Sequence, residues 1–390
     1  MTHEMRKWHI SYQRTIEYEV VSCPNLFHPQ NGALLSIGKK ENTRRFVVVD
    51  SNIEKYYSTE IKDFFKYHKI DAKILTFPAG EKNKSIDNYL WILRELDTFP
   101  INRRDEPIIA VGGGVLTDVV GFVASSYRRG VPHIKIPTTL MGYVDASVGI
   151  KSGINFNSNK NRLGSFEPPK KVFLDRTFLA TLPKRHILNG VCEILKLAII
   201  KDTALFELLE SHGAECVNSK FQDEIGALIL DRSVGAMLEE LEPNLFEDDL
   251  ARRVDFGHTF SYGFETFHDT QLLHGEAVLI DMVISAILAA SRDLLSKQEL
   301  NRIFDLIAKL GVVLIDDLVN PDLLWKTLNE RTYHRNGLQR VPLPDGLGKC
   351  VFVNDIKFEE IQSACKNLEN WTEINDTIYE YGFQRDKEVR

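Results

Sequence analysis

Two histidines sixteen residues apart, each beside glycine, carry the first chemical signal in this chain: His258 in Gly257-His258-Thr259 and His274 in His274-Gly275-Glu276. Upstream, Glu193 falls on an apolar helical stripe with Val191, Ile194, Leu195 and Ala198. A carboxylate in that setting is costly to bury without a cation nearby. Lys196, three residues on, is one such partner, and a metal ion is another. Two imidazoles and one carboxylate form the donor set of an open catalytic zinc site, which keeps a coordination position for substrate. Both partners fit at once if Glu193 goes to the metal and Lys196 to the substrate. His268, between the two, reads as a surface residue.

A second signal is Gly112-Gly113-Gly114, directly after the apolar run 107–111. A pyrophosphate needs backbone N–H groups at close range, and a Cβ at such a turn would hold it away. The dipole of a following helix adds to the anion site. Glycine clusters also end strands for purely steric reasons, but two features favour the nucleotide. Asp50 closes the apolar run 46–49, where a carboxylate accepts ribose hydroxyls. The loop 78–85 brings Glu81 and Lys84 to the same sheet edge, although Lys84 also suits a solvated helix start. The Asp50 carboxylate would repel a 2′-phosphate, so NAD is expected over NADP. Asp145 and Lys151 flank a turn containing Gly149, and Lys160, Asn161 and Arg162 add donors beyond it. Cations and amides at this density suit a phosphorylated polyol.

The elements that position these groups follow from periodicity. Runs at 46–49, 73–77, 107–111, 134–136 and 172–174 read as strands. They alternate with helical patterns at 54–67, 85–96 and 115–126, the mark of a mostly parallel sheet covered on both faces. From about residue 183 the segments become long and helical (189–200, 204–211, 221–241, 275–296, 297–310), with one clear strand at 350–353. At 390 residues, two domains are expected: an α/β nucleotide domain over 1–180 and a mainly helical metal- and substrate-binding domain over 181–390. A net charge of −7 argues against a nucleic-acid partner. The apolar run 282–290, flanked by Asp281 and Arg292, is too short to span a bilayer. The N-terminus lacks a signal-peptide core, and Cys23, Cys192, Cys216, Cys350 and Cys365 form no Cys-x-x-Cys pair. Reduced thiols in a cytoplasmic protein are expected. The last dozen residues read as a charged tail.

In order along the chain, residues 78–85 (PAGEKNKS), 112–130 (GGGVLTDVVGFVASSYRRG), 136–140 (IPTTL), 145–153 (DASVGIKSG), 160–166 (KNRLGSF), 178–183 (FLATLP), 190–196 (GVCEILK), 257–260 (GHTF) and 273–278 (LHGEAV) resemble the dehydroquinate synthase superfamily. That resemblance implies a Rossmann-like N-terminal domain, a helical C-terminal domain, an active site between them and a homodimer. It also implies NAD with Zn2+, for which Co2+ is a possible substitute. By resemblance Glu193, His258 and His274 hold the metal. Asp145, Lys151, Lys160, Asn161 and Lys196 contact substrate. Asp50, Asn52, Glu81, Lys84, Gly113, Gly114, Asp118, Thr138, Thr139, Phe178, Thr181 and Leu182 match cofactor positions. Arg129 would reach the substrate phosphate of the neighbouring subunit.

Departures from the dehydroquinate synthases themselves are informative. Those enzymes carry Asn where Asp255 stands, an Arg at the place of Ala251, His at Tyr262 and Lys near Met237. Fewer cations and an added carboxylate would repel a substrate carboxylate, so a neutral-headed ketose phosphate is expected. Residues 237–244 and 335–342 resemble the sedoheptulose 7-phosphate cyclase branch, with His334 taking part of the place of a lysine. Within it, Asp255 and Pro168-Pro169 look like the group forming 2-epi-5-epi-valiolone. The implied reaction has no net redox change: oxidation at C5, phosphate loss, re-reduction and aldol closure. The alternatives are a 2-epi-valiolone or desmethyl-4-deoxygadusol synthase, then 3-dehydroquinate synthase, then a metal-dependent polyol dehydrogenase.

Overall fold

The computed structural model describes residues 5, 7–35, 44–157, 159–266, 272–312 and 319–379, with side chains up to 369. His268 and the charged C-terminal tail lie outside the described residues.

Six strands form one parallel sheet: β1 (Glu19–Ser22), β2 (Arg45–Asp50), β3 (Ala72–Phe77), β4 (Ile108–Gly112), β5 (His133–Pro137) and β8 (Lys171–Leu174). Their order is β1-β8-β5-β4-β2-β3. The runs Phe46-Val47-Val48-Val49 and Ile108-Ile109-Ala110-Val111 are buried throughout, as strands covered on both faces must be. Helices α1 (Ser51–Tyr67), α2 (Ile86–Thr98) and α3 (Gly114–Ser126) supply the cover. From β2 the chain moves outward to β3 and then returns to the other side of β2 as β4. The switch point therefore opens between β2 and β4, at the strand ends carrying Asp50 and Gly112, where open α/β sheets bind ligands.

An antiparallel hairpin, β6 (Lys151–Phe156) with β7 (Asn159–Phe166), projects from this layer. Sequence periodicity showed only a turn here, because the strands are polar and lack period-2 alternation. They pair because Gly153 faces Gly164; a Cβ on Gly164 would collide with the Ser152 carbonyl.

The remaining helices are α4 (Lys184–Ile200), α5 (Thr203–Asn218), α6 (Glu224–Leu241), α7 (Ser261–Thr266), α8 (His274–Ser291), α9 (Lys297–Leu310), α10 (Pro321–Thr332) and α11 (Phe358–Tyr379), with a small pair β9 (Val341–Pro344) and β10 (Cys350–Val353). Helix α4 starts at Lys184, after Pro183, five residues before the expected start at 189. Asp202, Asp223 and Ser296 cap α5, α6 and α9 through their side-chain oxygens. Helix α8 is longer than its central apolar run, and by length and composition alone it would cross a bilayer. Its residues are instead buried against α4 and neighbouring helices. That core also takes in Leu140, Tyr143, Val144 and Val148 from the segment after β5.

Strand β5 buries two ionisable side chains on one face, His133 and Lys135. Lys135 Nζ donates to the Gly149 carbonyl at 2.9 Å, which fixes the segment leading to Lys151. Burial, with Lys135 adding to it, pushes His133 down to about 3, and neither ring nitrogen has a hydrogen-bond partner. Between pH 6.5 and 3 the unfolded chain therefore binds a proton here that the folded chain does not, so acidification through that window costs stability. His133→Leu is expected to flatten the pH dependence of urea unfolding between pH 6 and 4. An unchanged slope would contradict the neutral, buried state of this ring.

Candidate active site

Three elements bring the metal-ligand candidates together. Helix α4 carries Glu193, the loop before α7 carries His258, and the first residue of α8 is His274. All three ligand atoms lie within 4.8 Å of one another. The two Nε2 atoms are 3.3 Å apart, and Glu193 Oε1 is 3.9 Å from His258 and 3.7 Å from His274. Two imidazole nitrogens at about 2.0–2.1 Å from a shared tetrahedral zinc would stand roughly 3.3–3.4 Å apart. Glu193 is fully buried and its Oε1 has no hydrogen-bond partner. An orphaned carboxylate oxygen facing two imidazole lone pairs fits a divalent cation.

Neighbouring groups fix the tautomers. His258 Nδ1 lies 3.1 Å from the Phe256 carbonyl and donates to it. His274 Nδ1 donates to Glu265 Oε1 at 2.8 Å. Both leave Nε2 as an acceptor, the usual arrangement for metal-binding histidines. Burial and the nearby Lys196 ammonium push His258 well below its ordinary value, keeping it neutral. Glu265 also pairs with Lys160 Nζ at 2.5 Å. Burial alone would raise its carboxyl, but His274 and Lys160 bring it down to about 2. Lys196, buried beside Glu193, forms an ion pair with Oε2. Burial favours its neutral form, but Glu193 and Asp145 outweigh that and hold the proton on. Asp145 itself sits in a π-helical turn, Gly142–Ala146.

Besides Glu265, two further anchors of the candidate ligands were missed in the sequence. Asp281, in the apolar stretch of α8, accepts backbone N–H bonds from Phe260 and from Ser261 (3.0 Å), and a bond from Ser285 Oγ at 3.1 Å. It thereby ties α7 and the His258 loop to the helix carrying His274. Burial pushes its carboxyl up to about 6 against those donors. Asn189 Oδ1 accepts from Gly275 N at 2.7 Å. A Cβ on Gly275 would collide with the Asn189 carbonyl, so only glycine lets α8 start this close to α4. An Asp within an apolar run and an Asn four residues before Glu193 were the available signals.

The charge expectation at Asp255 needs correction. Its carboxylate is nine-tenths buried and pairs with Arg252 and, at 3.3 Å, with Arg335. Burial would raise its carboxyl, but Arg252 and then Arg335 hold it below the ordinary range. Arg252 also pairs with Glu247, so two guanidiniums face two carboxylates and Asp255 carries no uncompensated charge with which to repel a substrate carboxylate. Arg335 enters this cluster, whereas His334 stands exposed on the turn after α10. Lys151 Nζ pairs with Glu247 at 2.8 Å, and Tyr262 donates to Asn159 Oδ1 at 3.3 Å.

At the sheet edge, Asp50 caps α1, accepting from Asn52 N at 2.8 Å. Gly113 precedes α3, and a Cβ there would lie 2.9 Å from Thr139 Cγ2. Gly114 opens the helix, and Thr138 and Thr139 follow β5 beside it. This is a cradle that side chains would fill, suited to a dinucleotide phosphate. Lys84, expected at the cofactor edge with a solvated helix start as the alternative, is buried and bridges Asp118 (2.6 Å) and Asn161 (2.5 Å). Glu81 Oε1 accepts from Asn155 Nδ2 at 2.8 Å. Phe178 packs edge-on against Tyr57, whose hydroxyl is 3.3 Å from Thr181 Oγ1, and Leu182 is buried just beyond. Arg129 is exposed at the opposite end of α3 from the glycine turn, a helix length of about 20 Å. Within one chain it does not join the site.

The 3-dehydroquinate synthase N-terminal family model matches residues 74–189 and the C-terminal model residues 190–330. This chain belongs to the 3-dehydroquinate synthase family. It is 46% identical over 365 residues to a 2-epi-5-epi-valiolone synthase from Streptomyces albus, covering 92% of this chain and 89% of that protein. It is 37% identical over 365 residues to a demethyl-4-deoxygadusol synthase from Trichormus variabilis, covering 92% and 88%. The solved 2-epi-5-epi-valiolone synthase from Streptomyces hygroscopicus subsp. jinggangensis 5008, with NAD+ and Zn2+ bound, superposes with a TM-score of 0.90 at 41% identity, covering 93% of this chain and 100% of that one.

Removing the Asp255 carboxylate would leave Arg335 buried with no ion-pair partner among the described residues. Breaking one partner of a buried pair typically costs about 3–5 kcal/mol. Asp255→Ala is therefore expected to lower the unfolding free energy by about 3 kcal/mol in a denaturant titration. A stability equal to that of the parent would show that the triad is not a buried ion cluster.

Proposed function

We propose that this chain is a sugar phosphate cyclase that converts sedoheptulose 7-phosphate into 2-epi-5-epi-valiolone and inorganic phosphate, with NAD and zinc as resident cofactors. The observation that carries this reading is the open Glu193–His258–His274 cluster (His–His 3.3 Å) beside a dinucleotide cradle. The end-to-end similarity to proteins named 2-epi-5-epi-valiolone synthase supports the choice of product.

Glu193, His258 and His274 would hold the metal. Asp50, Asn52, Glu81, Lys84, Gly113, Gly114, Asp118, Thr138, Thr139, Phe178, Thr181 and Leu182 would line the dinucleotide. When bound, these groups supply reversible hydride exchange at a carbinol carbon and Lewis acidity at neighbouring oxygens. The chain's own residues supply orientation and charge. Lys196 stays protonated between Glu193 and Asp145 and offers a fixed positive charge to a developing oxyanion. Lys151 and Lys160, both partly exposed on the hairpin, would hold the phosphate and ease its departure, with Asn161 as a neutral donor. Asp145 would orient a proton-transferring group. Arg252 and Arg335 neutralise Asp255, leaving its carboxylate to accept substrate hydroxyls without a net negative field. Residues 1–180 provide the cradle in this reading, with Thr181 and Leu182 at the border, and 181–390 the metal ligands. Arg129, remote from its own site, would serve the partner's site in a homodimer.

The reaction has no net redox change, so the loaded enzyme should release phosphate from sedoheptulose 7-phosphate without accumulating reduced nicotinamide. NADH rising in step with product would indicate a polyol dehydrogenase instead. An NMR spectrum of the product distinguishes 2-epi-5-epi-valiolone from its epimer and from desmethyl-4-deoxygadusol. Glu193→Ala and His274→Ala should each lose bound zinc by elemental analysis and lower turnover more than about a thousandfold, in line with the several kcal/mol that a Lewis acid contributes. A metal-free variant with near-parental turnover would refute the ligand assignment.

A further inference from the structure

The β6–β7 hairpin is shared between the two halves of the site. Towards the sheet edge it is stitched to the loop after β3. Asn155 N donates to the Lys84 carbonyl at 2.8 Å, and Asn155 Nδ2 to Glu81 at 2.8 Å. Asn155 Oδ1 accepts from Asn161 N at 2.9 Å. Asn161 Oδ1 accepts from Lys84 Nζ at 2.5 Å, and the same ammonium pairs with Asp118 of α3 at 2.6 Å. Towards the helices, Lys160 Nζ lies 2.5 Å from Glu265 Oε2, and Glu265 Oε1 lies 2.8 Å from His274 Nδ1. An unbroken file of polar contacts therefore runs His274–Glu265–Lys160, crosses one peptide bond, and continues Asn161–Lys84–Asp118.

Lys84 and Glu265, each one step in from its two ends, are withdrawn from water, at 6% and 8% side-chain exposure. Charge-assisted bonds in such surroundings are short and directional. Both Glu265 oxygens are committed, one to the imidazole and one to the ammonium. The imidazole's orientation is thus tied to the hairpin's position, and the hairpin's position to the loop and helix lining the dinucleotide cradle.

We propose that Glu265 is a positioning residue through which metal and dinucleotide binding strengthen each other. This rests on the reading of the two sites given under Proposed function. A dinucleotide against α3 fixes Lys84 and, through Asn161, the hairpin. The hairpin holds Lys160 on Glu265, and Glu265 holds His274 with Nε2 facing the metal. Coupling of this kind is reciprocal, so the metal must tighten dinucleotide binding by the same factor.

The test uses the full-length, metal-free protein without substrate, so turnover does not enter. Zn2+ affinity is measured by competition with a chromogenic chelator, with and without saturating NAD+. NAD+ affinity is measured by calorimetry, with and without Zn2+. In the parent protein each ligand is expected to tighten the other about tenfold, within the usual range for coupled sites. Glu265→Gln should weaken Zn2+ binding about tenfold, the lower end for loss of a histidine's supporting carboxylate, and remove the mutual tightening. Its NAD+ affinity without metal should stay unchanged. Lys160→Met, on the partly exposed hairpin, keeps the Glu265–His274 bond and should retain most of the Zn2+ affinity while losing the tightening. Zn2+ affinity indifferent to NAD+ in the parent, or tightening that survives in Lys160→Met, overturns the inference. A parent protein that binds no Zn2+ or no NAD+ overturns the reading of the sites themselves.

Discussion

A carboxylate without access to water sits at the centre of this protein, and the surrounding elements answer its charge. Glu193 lies in the middle of α4, a helix buried along most of its length. Burying an isolated ion is prohibitive, so Lys196 was placed one turn on. That pairing accounts for one oxygen. The other faces two imidazoles carried by separate segments, and holding those segments sets most of the local architecture. Asp281 pins the His258 loop, Asn189 pins the start of α8, and Glu265 aligns His274. Each is itself a polar group drawn inside and satisfied, so the site is a nested set of answered charges rather than three ligands on a surface.

The same logic governs the cleft wall. Lys84, Asp118 and Asn161 satisfy one another at the sheet edge beside the glycine turn. Arg252, Asp255 and Arg335 do so beside the helices. Such clusters add little net stability compared with apolar packing, but removing one member is costly. They favour a single arrangement of the walls. Between them the β6–β7 hairpin carries three consecutive polar residues: Asn159 and Lys160 contact α7, and Asn161 contacts Lys84 in the loop after β3.

The parallel sheet, the glycine turn and the convergence of Glu193, His258 and His274 were legible from short-range pattern. Buried strands read as apolar runs, the turn before α3 as consecutive glycines, and Glu193 as a charge where helical periodicity demanded an apolar residue. The hairpin was not legible, since its strands are polar and their pairing depends on two facing glycines eleven residues apart. Glu265 and Asp281 gave weak signals because each acts on a partner that only the fold brings near.

The sequence by itself determined which groups are present and which of them must be partnered: a buried Glu193, two glycine-flanked histidines, and a strand-end Asp50 beside a glycine turn. Tertiary structure alone decided how charges cancel. Asp255 read as a negative determinant in the chain and became the neutralised centre of an arginine pair. Lys84 read either as a cofactor neighbour or as a solvated helix start, and the fold made it a buried link between Asp118 and Asn161. An ion's field depends on its distance from other ions and on the dielectric between them. Neither quantity exists until the chain has folded.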